Sequence, residues 1–228
     1  MPAERHITVR RTARYYTLGP ADGSPRQVWF VLHGYGQLAS QFIRVFEPLD
    51  DGTRLIVAPE ALNKFYLVAV DTMPAADRPV GAAWMTREDR DNEIEDYIAY
   101  LDDLATAVLE PVKGCGATPR LVVLAFSQGT ATAARWVTRG TIRPSDVILW
   151  GGLLPPDVDF SAHTAPLRHA SLQLVVGSRD QFVSDDRVAE EERRLRQANV
   201  LYRLVRYTGG HGIARDSLVG LARTLDGP

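Results

Sequence analysis

Several features that mark particular protein classes are missing from this 228-residue chain. It contains one cysteine, so no disulfide can form within it. No apolar run approaches the roughly 18 residues needed to cross a bilayer, and Arg5, Arg10 and Arg11 interrupt any leader-like stretch near the amino end. The formal net charge is −2, so no excess of positive charge attracts nucleic acid or an anionic membrane. These absences favour a cytoplasmic protein with no transmembrane segment and no nucleic-acid partner.

Patterns typical of cofactor sites are missing as well. The histidines show no short ligand spacing, and the cysteine stands alone in a Gly-Cys-Gly segment. No Gly-x-Gly-x-x-Gly follows an apolar stretch, which leaves dinucleotide binding without support. The sequence therefore predicts no cofactor and no metal ion. The histidines and the cysteine whose spacing excludes a metal site are His6, His33, His163, His169, His211 and Cys115.

Length and composition indicate a globular protein with a substantial core. Hydrophobic residues make up 45% of the chain and charged residues 24%, both ordinary values for globular proteins. A chain of this length fits one domain, and no repeat or linker divides it. We therefore expect a single domain over residues 1–228.

The most informative segment is residues 125–129, with the sequence Ala-Phe-Ser-Gln-Gly. An apolar stretch typical of a buried parallel strand, Leu121–Leu124, precedes it, and a helix pattern of small residues, Thr130–Val137, follows it. A serine at such a sharp strand-to-helix turn, with small residues two positions to either side, is a nucleophile elbow. An ordinary serine at a helix N-cap is the alternative that the sequence leaves open.

Two further polar residues follow predicted strands. Leu172–Gly177 has the pattern of a strand and leads to Asp180, while Leu201–Tyr207 has a similar pattern and leads to His211, which lies between glycines. Open α/β sheets hold their sites beyond the carboxyl ends of their strands, so we expect both side chains at that edge.

Together these side chains have the types needed for nucleophilic catalysis. A serine hydroxyl needs a base, and that base must be oriented by a third group. We predict Ser127 as the nucleophile, His211 as the base and Asp180 as the acid. Asp185 and Asp186 lie close by at a predicted helix start and leave the choice of acid less defined.

The loop after an early strand supplies the expected site for the oxyanion. Val28–Leu32 has the pattern of a short strand and runs into the glycine-containing segment His33–Gln37. We predict that the backbone N–H groups of Tyr35 and Gln128 form the oxyanion hole. We expect His33 to hold this loop in place and to take no part in proton transfer.

Apolar residues after Pro59 are candidates for a substrate groove. The predicted substrate-binding residues are Phe65, Trp84 and Met85, together with Leu153 from the loop after the following strand. The segment is too short for a large cap domain. An equally supported alternative is that these residues pack on one another, with Trp84 as a buried anchor, because apolar side chains line both ligand sites and ordinary cores.

These motifs resemble those of the phospholipase/carboxylesterase family of α/β-hydrolases, which includes the acyl-protein thioesterases and small bacterial carboxylesterases. The resemblance runs from about Val28 to Leu225. Its motifs are the Leu-His-Gly-x-Gly loop at 32–36, Pro59, Trp84, the elbow, and the acid and base loops at 177–183 and 209–212.

The chain departs from the pattern of that family at three positions. Ala125 stands where the elbow of the family has Gly, Met85 where relatives often have Phe, and Ser184 where they usually have Pro. None of these departures removes a predicted catalytic group. They suggest a distant branch, so the substrate of better-known members is not carried over.

The resemblance implies the α/β-hydrolase fold, with a mostly parallel central sheet, helices on both faces and no large cap domain. It implies a serine carboxylesterase or thioesterase that cleaves a small acyl ester or thioester through an acyl-enzyme. An open, modestly apolar groove favours acyl chains of short to medium length, and a homodimer is a possible assembly. Two kinds of alternative stay open. One is a ligand receptor or interaction module with little turnover, and the other is a lactonase, peptidase or acyltransferase that uses the same triad.

The remaining pattern predicts the outer elements. We expect one or two antiparallel edge strands within His6–Leu18, a turn at Gly19–Gly23, a long amphipathic helix that carries Ile94–Val108 and ends before Pro111, and a last helix over Ala214–Leu225.

Overall fold

A mostly parallel sheet of seven strands forms the centre of the computed structural model, which describes residues 1–20, 24–69, 73–114, 116, 118–158 and 165–226. The strands of this sheet are β1 (Tyr15–Leu18), β2 (Gln27–Leu32), β3 (Arg54–Pro59), β6 (Arg120–Phe126), β7 (Asp146–Trp150), β8 (Ser171–Gly177) and β9 (Tyr202–Tyr207). A separate antiparallel hairpin consists of β4 (Asn63–Tyr66) and β5 (Val80–Ala83). The order in the sheet is β1-β3-β2-β6-β7-β8-β9, and only β1 runs antiparallel to its neighbour.

Helices cover both faces of this sheet. They are α1 (Ala39–Phe42), which continues into a 3-10 segment (Ile43–Leu49), α2 (Arg90–Gly114), α3 (Gln128–Arg139), α4 (Ala165–His169), α5 (Asp185–Gln197) and α6 (Arg215–Arg223). Successive side chains of a strand point to opposite faces. In β2, Val28 and Phe30 therefore pack into the core with α2 and α3, while Trp29 and Val31 pack into the core with α1 and α6. Burial on both faces explains why these strands are continuous apolar runs in the sequence.

The strand order reverses between β2 and β6. From β2 the chain moves outward to β3 on one side, and it then returns to β6 on the other side. In open α/β sheets such a reversal leaves a crevice outside the carboxyl ends of the strands. The loop at residues 33–37 and Ser127 follow these two strands, and Asp180 and His211 follow β8 and β9. All the predicted site residues of these loops thus belong to one edge of the sheet.

The outer elements differ from expectation in two places. The edge strand β1 is confirmed, but the exposed residues 6–14 before it form no strand. The prediction that the long helix ends before Pro111 is wrong, because α2 continues to Gly114 with Pro111 inside it. A proline this close to the end removes a single donor from the last turn, and Val112 beyond it is buried in the core.

Some expectations lie outside the described residues. Cys115 and His163 are among these, and the predicted turn at Gly19–Gly23 is described only in part. Within the described ranges, no helix has both the length and the apolar character to cross a membrane.

Candidate active site

Ser127 occupies a strained turn between β6 and α3. Its backbone has φ 53° and ψ −117°, a conformation that costs a residue with a side chain about 1–3 kcal/mol. The Ser127 N–H donates to the Trp150 carbonyl at 2.9 Å, which holds the turn against β7. A Cβ atom on Gly129 would lie 2.6 Å from the Leu32 carbonyl oxygen, so no larger residue fits two positions after the serine. The Ser127 side chain makes no capping hydrogen bond, which separates this turn from an ordinary helix N-cap.

Two hydrogen bonds join the predicted nucleophile, base and acid. His211 Nε2 lies 2.9 Å from Ser127 Oγ, and His211 Nδ1 lies 2.9 Å from Asp180 Oδ2. Of the three candidate acids, Asp180 is the one that contacts His211. Asp185 instead pairs with Arg206 at 2.8 Å on the surface.

The Asp180 carboxylate is fully enclosed and well supplied with donors. Its side chain has no exposed surface. Oδ1 accepts from the backbone N–H groups of Phe182 and Val183 at 2.9 and 3.2 Å. These two N–H groups hold the carboxylate with Oδ2 toward the imidazole. An ionised Asp180 places the imidazole proton of His211 on Nδ1 and leaves Nε2 free to accept the hydrogen of the Ser127 hydroxyl.

Close contact between two loops fixes the position of His211. A Cβ atom on Gly177 would lie 2.6 Å from the carbonyl oxygens of both Gly209 and Gly210, so only glycine lets the end of β8 approach the histidine loop. The Tyr207 hydroxyl donates to the Gly210 carbonyl at 2.8 Å. The backbone around His211 is thereby tied to both β8 and β9.

The loop after β2 lies directly against the serine. A Cβ atom on Gly34 would lie 3.1 Å from Ser127 Cβ, and the Gly34 N–H donates to Gln37 Oε1 at 2.8 Å. Neither the Tyr35 N–H nor the Gln128 N–H has an acceptor among the described residues. Two donors without an acceptor among the described residues therefore belong to the segments that adjoin Ser127, and their role as an oxyanion hole stays a prediction.

His33 is buried beneath this loop. Its Nδ1 donates to the Gly34 carbonyl at 2.8 Å, and its Nε2 accepts from the Ala61 N–H at 3.1 Å. Burial lowers the pKa of His33 below its usual value. Both ring nitrogens are occupied by backbone groups, so this imidazole supports the loop and has no free nitrogen for proton transfer.

The predicted substrate-binding residues lie in different surroundings. Trp84 is only 1% exposed, and its indole N–H donates to the His33 carbonyl at 2.8 Å, so its placement fits the alternative of a core anchor. Phe65 is partly exposed, and its ring lies 5.0 Å from that of Tyr35. Met85 and Leu153 are partly buried against the core that contains α2 and α3. Binding of substrate by these four residues stays a prediction.

The sequence analysis missed two residues near the site and the side-chain contacts of a third. Phe182 is 56% exposed, and its ring lies 4.6 Å from that of His211. Gly151 has φ 61°, and a Cβ atom there would lie 3.2 Å from His211 Cε1, so its missing side chain leaves room for the imidazole. Neither feature has a local sequence signal, because each depends on a contact between distant segments.

The third missed contribution is the side chain of Gln128. Its Oε1 accepts from the Trp84 N–H at 3.1 Å, and its Nε2 donates to the Met85 carbonyl at 2.9 Å. The residue whose backbone N–H was predicted as an oxyanion donor thus also fixes the segment after β5 with its side chain.

A buried arginine ties the surroundings of the site to α3. Arg135 holds Asp157 through two hydrogen bonds of 2.8 Å, and its third nitrogen lies 3.3 Å from the Tyr97 hydroxyl and 3.5 Å from Met85 Sδ. The hydrogen bonds from Arg135 lower the pKa of the Asp157 carboxyl to about 2. Arg90 adds a second contact to Asp157 at 2.8 Å. This network fixes the loop after β7 relative to the helix that follows the serine.

One surface cluster combines side-chain types that bind metals. His6 Nε2 lies 3.2 Å from Glu4 Oε1 and 3.3 Å from Asp89 Oδ1. All three residues are exposed, and exposed acidic groups often lie together without a metal ion. We assign no metal to them.

Comparisons with known proteins give matches in structure. The chain matches no family model and no curated protein sequence. Esterase PE8 superposes with a TM-score of 0.68 at 21% identity, over 94% of this chain and 98% of the esterase. Acyl-protein thioesterase 2 from Zea mays gives a TM-score of 0.66 at 19% identity, over 94% and 98%. A phospholipase/carboxylesterase from Dyadobacter fermentans gives 0.65 at 18% identity, over 96% and 99%.

The chain has the α/β-hydrolase fold. The predicted nucleophile after β6, the predicted acid after β8 and the predicted base after β9 follow the order of these groups along the chain of that fold. The resemblance to the phospholipase/carboxylesterase family, drawn from the motifs, is supported by the structures it matches. At identities of 18–21%, these likenesses establish the fold, and the activity is argued from the site.

Proposed function

We propose that this α/β-hydrolase fold protein is a serine hydrolase that cleaves acyl esters or thioesters of short to medium chain length through an acyl-enzyme, with residues 1–228 acting as one catalytic domain. The observation that carries the proposal is the continuous series from Ser127 Oγ through His211 to Asp180, with two contacts of 2.9 Å. This series lies at the edge of the sheet where the strand order reverses.

In the first step Ser127 attacks the carbonyl carbon of the substrate. As the new C–O bond forms, the hydroxyl proton passes to His211 Nε2, which lies within hydrogen-bond reach. Asp180 holds the other ring nitrogen and stabilises the imidazolium that results. Because two backbone N–H groups hold Asp180, its carboxylate keeps the ring in one orientation.

The negative charge that develops on the carbonyl oxygen needs donors near Ser127. The N–H groups of Tyr35 and Gln128 meet this need because neither has an acceptor in the described structure. The contacts of Gln37 with the Gly34 N–H and of Gln128 with the Trp84 N–H hold the two segments in place. Donors fixed in this way stabilise the charge without reorganising at the moment of reaction.

Departure of the leaving group completes acylation, and hydrolysis of the acyl-enzyme then repeats the same proton transfers. His211 gives its proton to the leaving alcohol or thiol as the bond to that group breaks, which leaves the acyl group on Ser127. It then takes a proton from water as the water oxygen attacks the acyl-enzyme. Collapse of the second intermediate returns the proton to Ser127 and releases the carboxylic acid.

Exposed aromatic side chains beside the serine favour an apolar acyl group. Tyr35 is 59% exposed and Phe182 is 56% exposed, and they lie on the loops after β2 and β8. The ring of Phe65 lies against Tyr35. Apolar side chains with a few polar groups are the usual lining of small-molecule sites. This open arrangement suits a short or medium acyl chain.

The test compares the wild type with Ser127→Ala on p-nitrophenyl esters of graded acyl length, with fluorophosphonate labelling of both proteins. Ser145→Ala is the matched control, because Ser145 is an exposed serine that precedes β7 at the opposite edge of the sheet. We expect hydrolysis and labelling in the wild type and in the control, and neither in Ser127→Ala.

Other outcomes would change the conclusion in defined ways. Labelling at Ser127 without turnover of any ester or thioester would favour a ligand receptor or another acyl-transfer reaction. Transfer of the acyl group to an added alcohol in preference to water would indicate an acyltransferase. Absence of labelling in folded wild-type protein would contradict the assignment of Ser127 as nucleophile.

A further inference from the structure

A cavity that shares no residue with the proposed catalytic site lies between β9 and α6. It has a volume of about 220 Å³ and is lined by Gln173, Arg203, Val205, Ser217, Gly220 and Leu221, among other residues. Gln173 is the third residue of β8 and Arg203 the second residue of β9, so the cavity lies toward the amino ends of these strands. The proposed catalytic residues follow the carboxyl ends. The two sites are therefore separated along the strands.

The unusual feature of this cavity is the side chain of Gln173. It is only 4% exposed and occupies a strand whose neighbouring residues are buried and apolar. Its Oε1 is fully enclosed and has no hydrogen-bond partner, and its Nε2 has none among the described residues. Buried polar groups nearly always have a partner, so a buried carboxamide without one needs an explanation.

Two more polar groups of the cavity lack partners. Arg203 pairs with Gln173 in the register of the two strands, and its guanidinium makes no ion pair or hydrogen bond with any described residue. The Ser217 hydroxyl, on the facing side of α6, also has no partner in the described part of the chain. None of the lining residues is acidic, so nothing within the cavity neutralises Arg203.

The rest of the lining is apolar. Val205 and Leu221 come from the strand and the helix that face each other, and Gly220 contributes no side chain that would fill the space. A guanidinium binds a carboxylate through two parallel hydrogen bonds. The carboxamide nitrogen of Gln173 is not enclosed as its oxygen is, and it can donate a hydrogen bond to a hydroxyl oxygen. The cavity thus combines an anion-binding group, a buried hydrogen-bonding group and an apolar surface for a short carbon skeleton.

We propose that this cavity binds a small hydroxycarboxylate, with the carboxylate on Arg203, the hydroxyl oxygen accepting from Gln173 Nε2 and the carbon atoms against Val205 and Leu221. Such a ligand supplies partners for the Arg203 guanidinium and for Gln173 Nε2, which have none among the described residues. The proposal does not depend on the hydrolase activity, because the cavity shares no residue with the proposed catalytic site.

The first experiment measures binding of L-lactate to the full chain by ligand-observed NMR and by the shift of the unfolding transition. Propionate, which lacks the hydroxyl, and propane-1,2-diol, which lacks the carboxylate, are the matched probes. We expect lactate to bind and both probes to bind at least about tenfold more weakly, because each loses a hydrogen bond to a buried or charged group. At ten times its Kd, lactate raises the folding equilibrium constant about elevenfold.

Four variants locate the binding. Gln173→Met replaces the carboxamide with an apolar side chain of similar size, and Arg203→Met removes the exposed guanidinium; both should weaken lactate binding at least about tenfold. Arg223→Met removes an exposed arginine of α6 that does not line the cavity, and it should bind lactate as the wild type does. Ser127→Ala should also bind lactate normally, which separates this cavity from the proposed catalytic site.

Two results would overturn the proposal. One is the absence of any lactate-dependent shift or NMR signal in the wild type at millimolar concentrations. A higher unfolding temperature of Gln173→Met beside that absence would show that Gln173 is a destabilising buried amide and not part of a binding site. The other is unchanged lactate binding in both Gln173→Met and Arg203→Met, which would place the binding elsewhere. Failure of the hydrolase assay would leave either result unaffected.

Discussion

The loops that follow β2 and β9 both carry a histidine beside glycine, at the same edge of the same sheet, yet the two imidazoles have opposite surroundings. His33 is buried, and backbone groups occupy both of its nitrogens. His211 contacts two side chains, Ser127 and Asp180, and its own side chain is 16% exposed. The first ring contacts only backbone groups, while the second lies between a hydroxyl and a carboxylate.

The difference shows that partners, more than position, decide what a histidine can do. A neutral ring held by a carbonyl and an N–H has no neighbouring group that would stabilise it as an imidazolium. A ring between a carboxylate and a hydroxyl is stabilised as an imidazolium when it takes the hydroxyl proton. The two loops can therefore be tested against each other in one protein.

The largest expected effect is on turnover when His211 is replaced. His211→Ala removes the proposed base and should lower kcat by about 10⁶-fold, because loss of one member of such a triad removes most of the benefit of the others. Kcat on the best p-nitrophenyl ester measures the effect, and circular dichroism checks the fold. An equal loss in a folded His33 variant would abolish the distinction between the two histidines.

Replacement of the acid should have a smaller effect. Asp180→Asn keeps the size of the side chain but favours the wrong tautomer of His211, so we expect kcat to fall by about 10⁴-fold. Asp186→Asn, in the first turn of α5, is the matched control and should keep wild-type turnover. Near-normal activity of Asp180→Asn would assign the role of acid to another group.

The corresponding change at His33 should act mainly on stability. In His33→Asn, a side-chain amide can still donate to the Gly34 carbonyl, but the Ala61 N–H loses its partner, which costs about 1–3 kcal/mol of unfolding free energy. Because the loop carries one of two oxyanion donors, kcat should fall by less than about 10²-fold. Urea denaturation and kcat measured on the same sample separate the two effects. A loss of kcat without a loss of stability would contradict the supporting role.

The smallest effect concerns pH. Burial lowers the pKa of His33, so the unfolded chain binds a proton more readily than the folded one. The stability contributed by neutral His33 is complete above the unfolded value of about 6.5 and is lost as the pH falls below it. For one such group the unfolding free energy changes by at most about 1.4 kcal/mol per pH unit.

Urea unfolding of wild type and His33→Asn at several pH values from 7.5 down to 5 measures this contribution. The difference in unfolding free energy between the two proteins should shrink as the pH falls. A difference that is independent of pH would show that His33 is not held neutral by the fold.

Much of the site could be predicted because its signals are local. The elbow around Ser127 places a strand, a small residue and a helix within a short stretch, and glycines mark the loop of His211 in the same way. The buried strands were also recognisable, since burial on both faces leaves continuous apolar runs. For the acid, the sequence left three candidates. Only the three-dimensional contact with His211 distinguishes Asp180 from Asp185 and Asp186.

Features that depend on distant contacts were not predictable. The β4–β5 hairpin pairs Asn63–Tyr66 with Val80–Ala83 across an intervening segment, and no turn motif joins them directly. The apolar character of Trp84 fitted a groove and a core equally well, and its surroundings are those of a core. Gln173 interrupts an apolar strand, a signal that is visible in the sequence but has no meaning until the cavity beside it is known.

The close approach at Gly177 bears on how much of the surrounding sequence can change while the fold is kept. The spacing between the loop of Asp180 and the loop of His211 is set where the main chain of β8 meets the carbonyl groups of Gly209 and Gly210. A distance set by main-chain atoms does not depend on the identity of the side chains around it. This is one physical reason why a chain can share only 21% of its residues with a solved esterase and still match it over 94% of its own length.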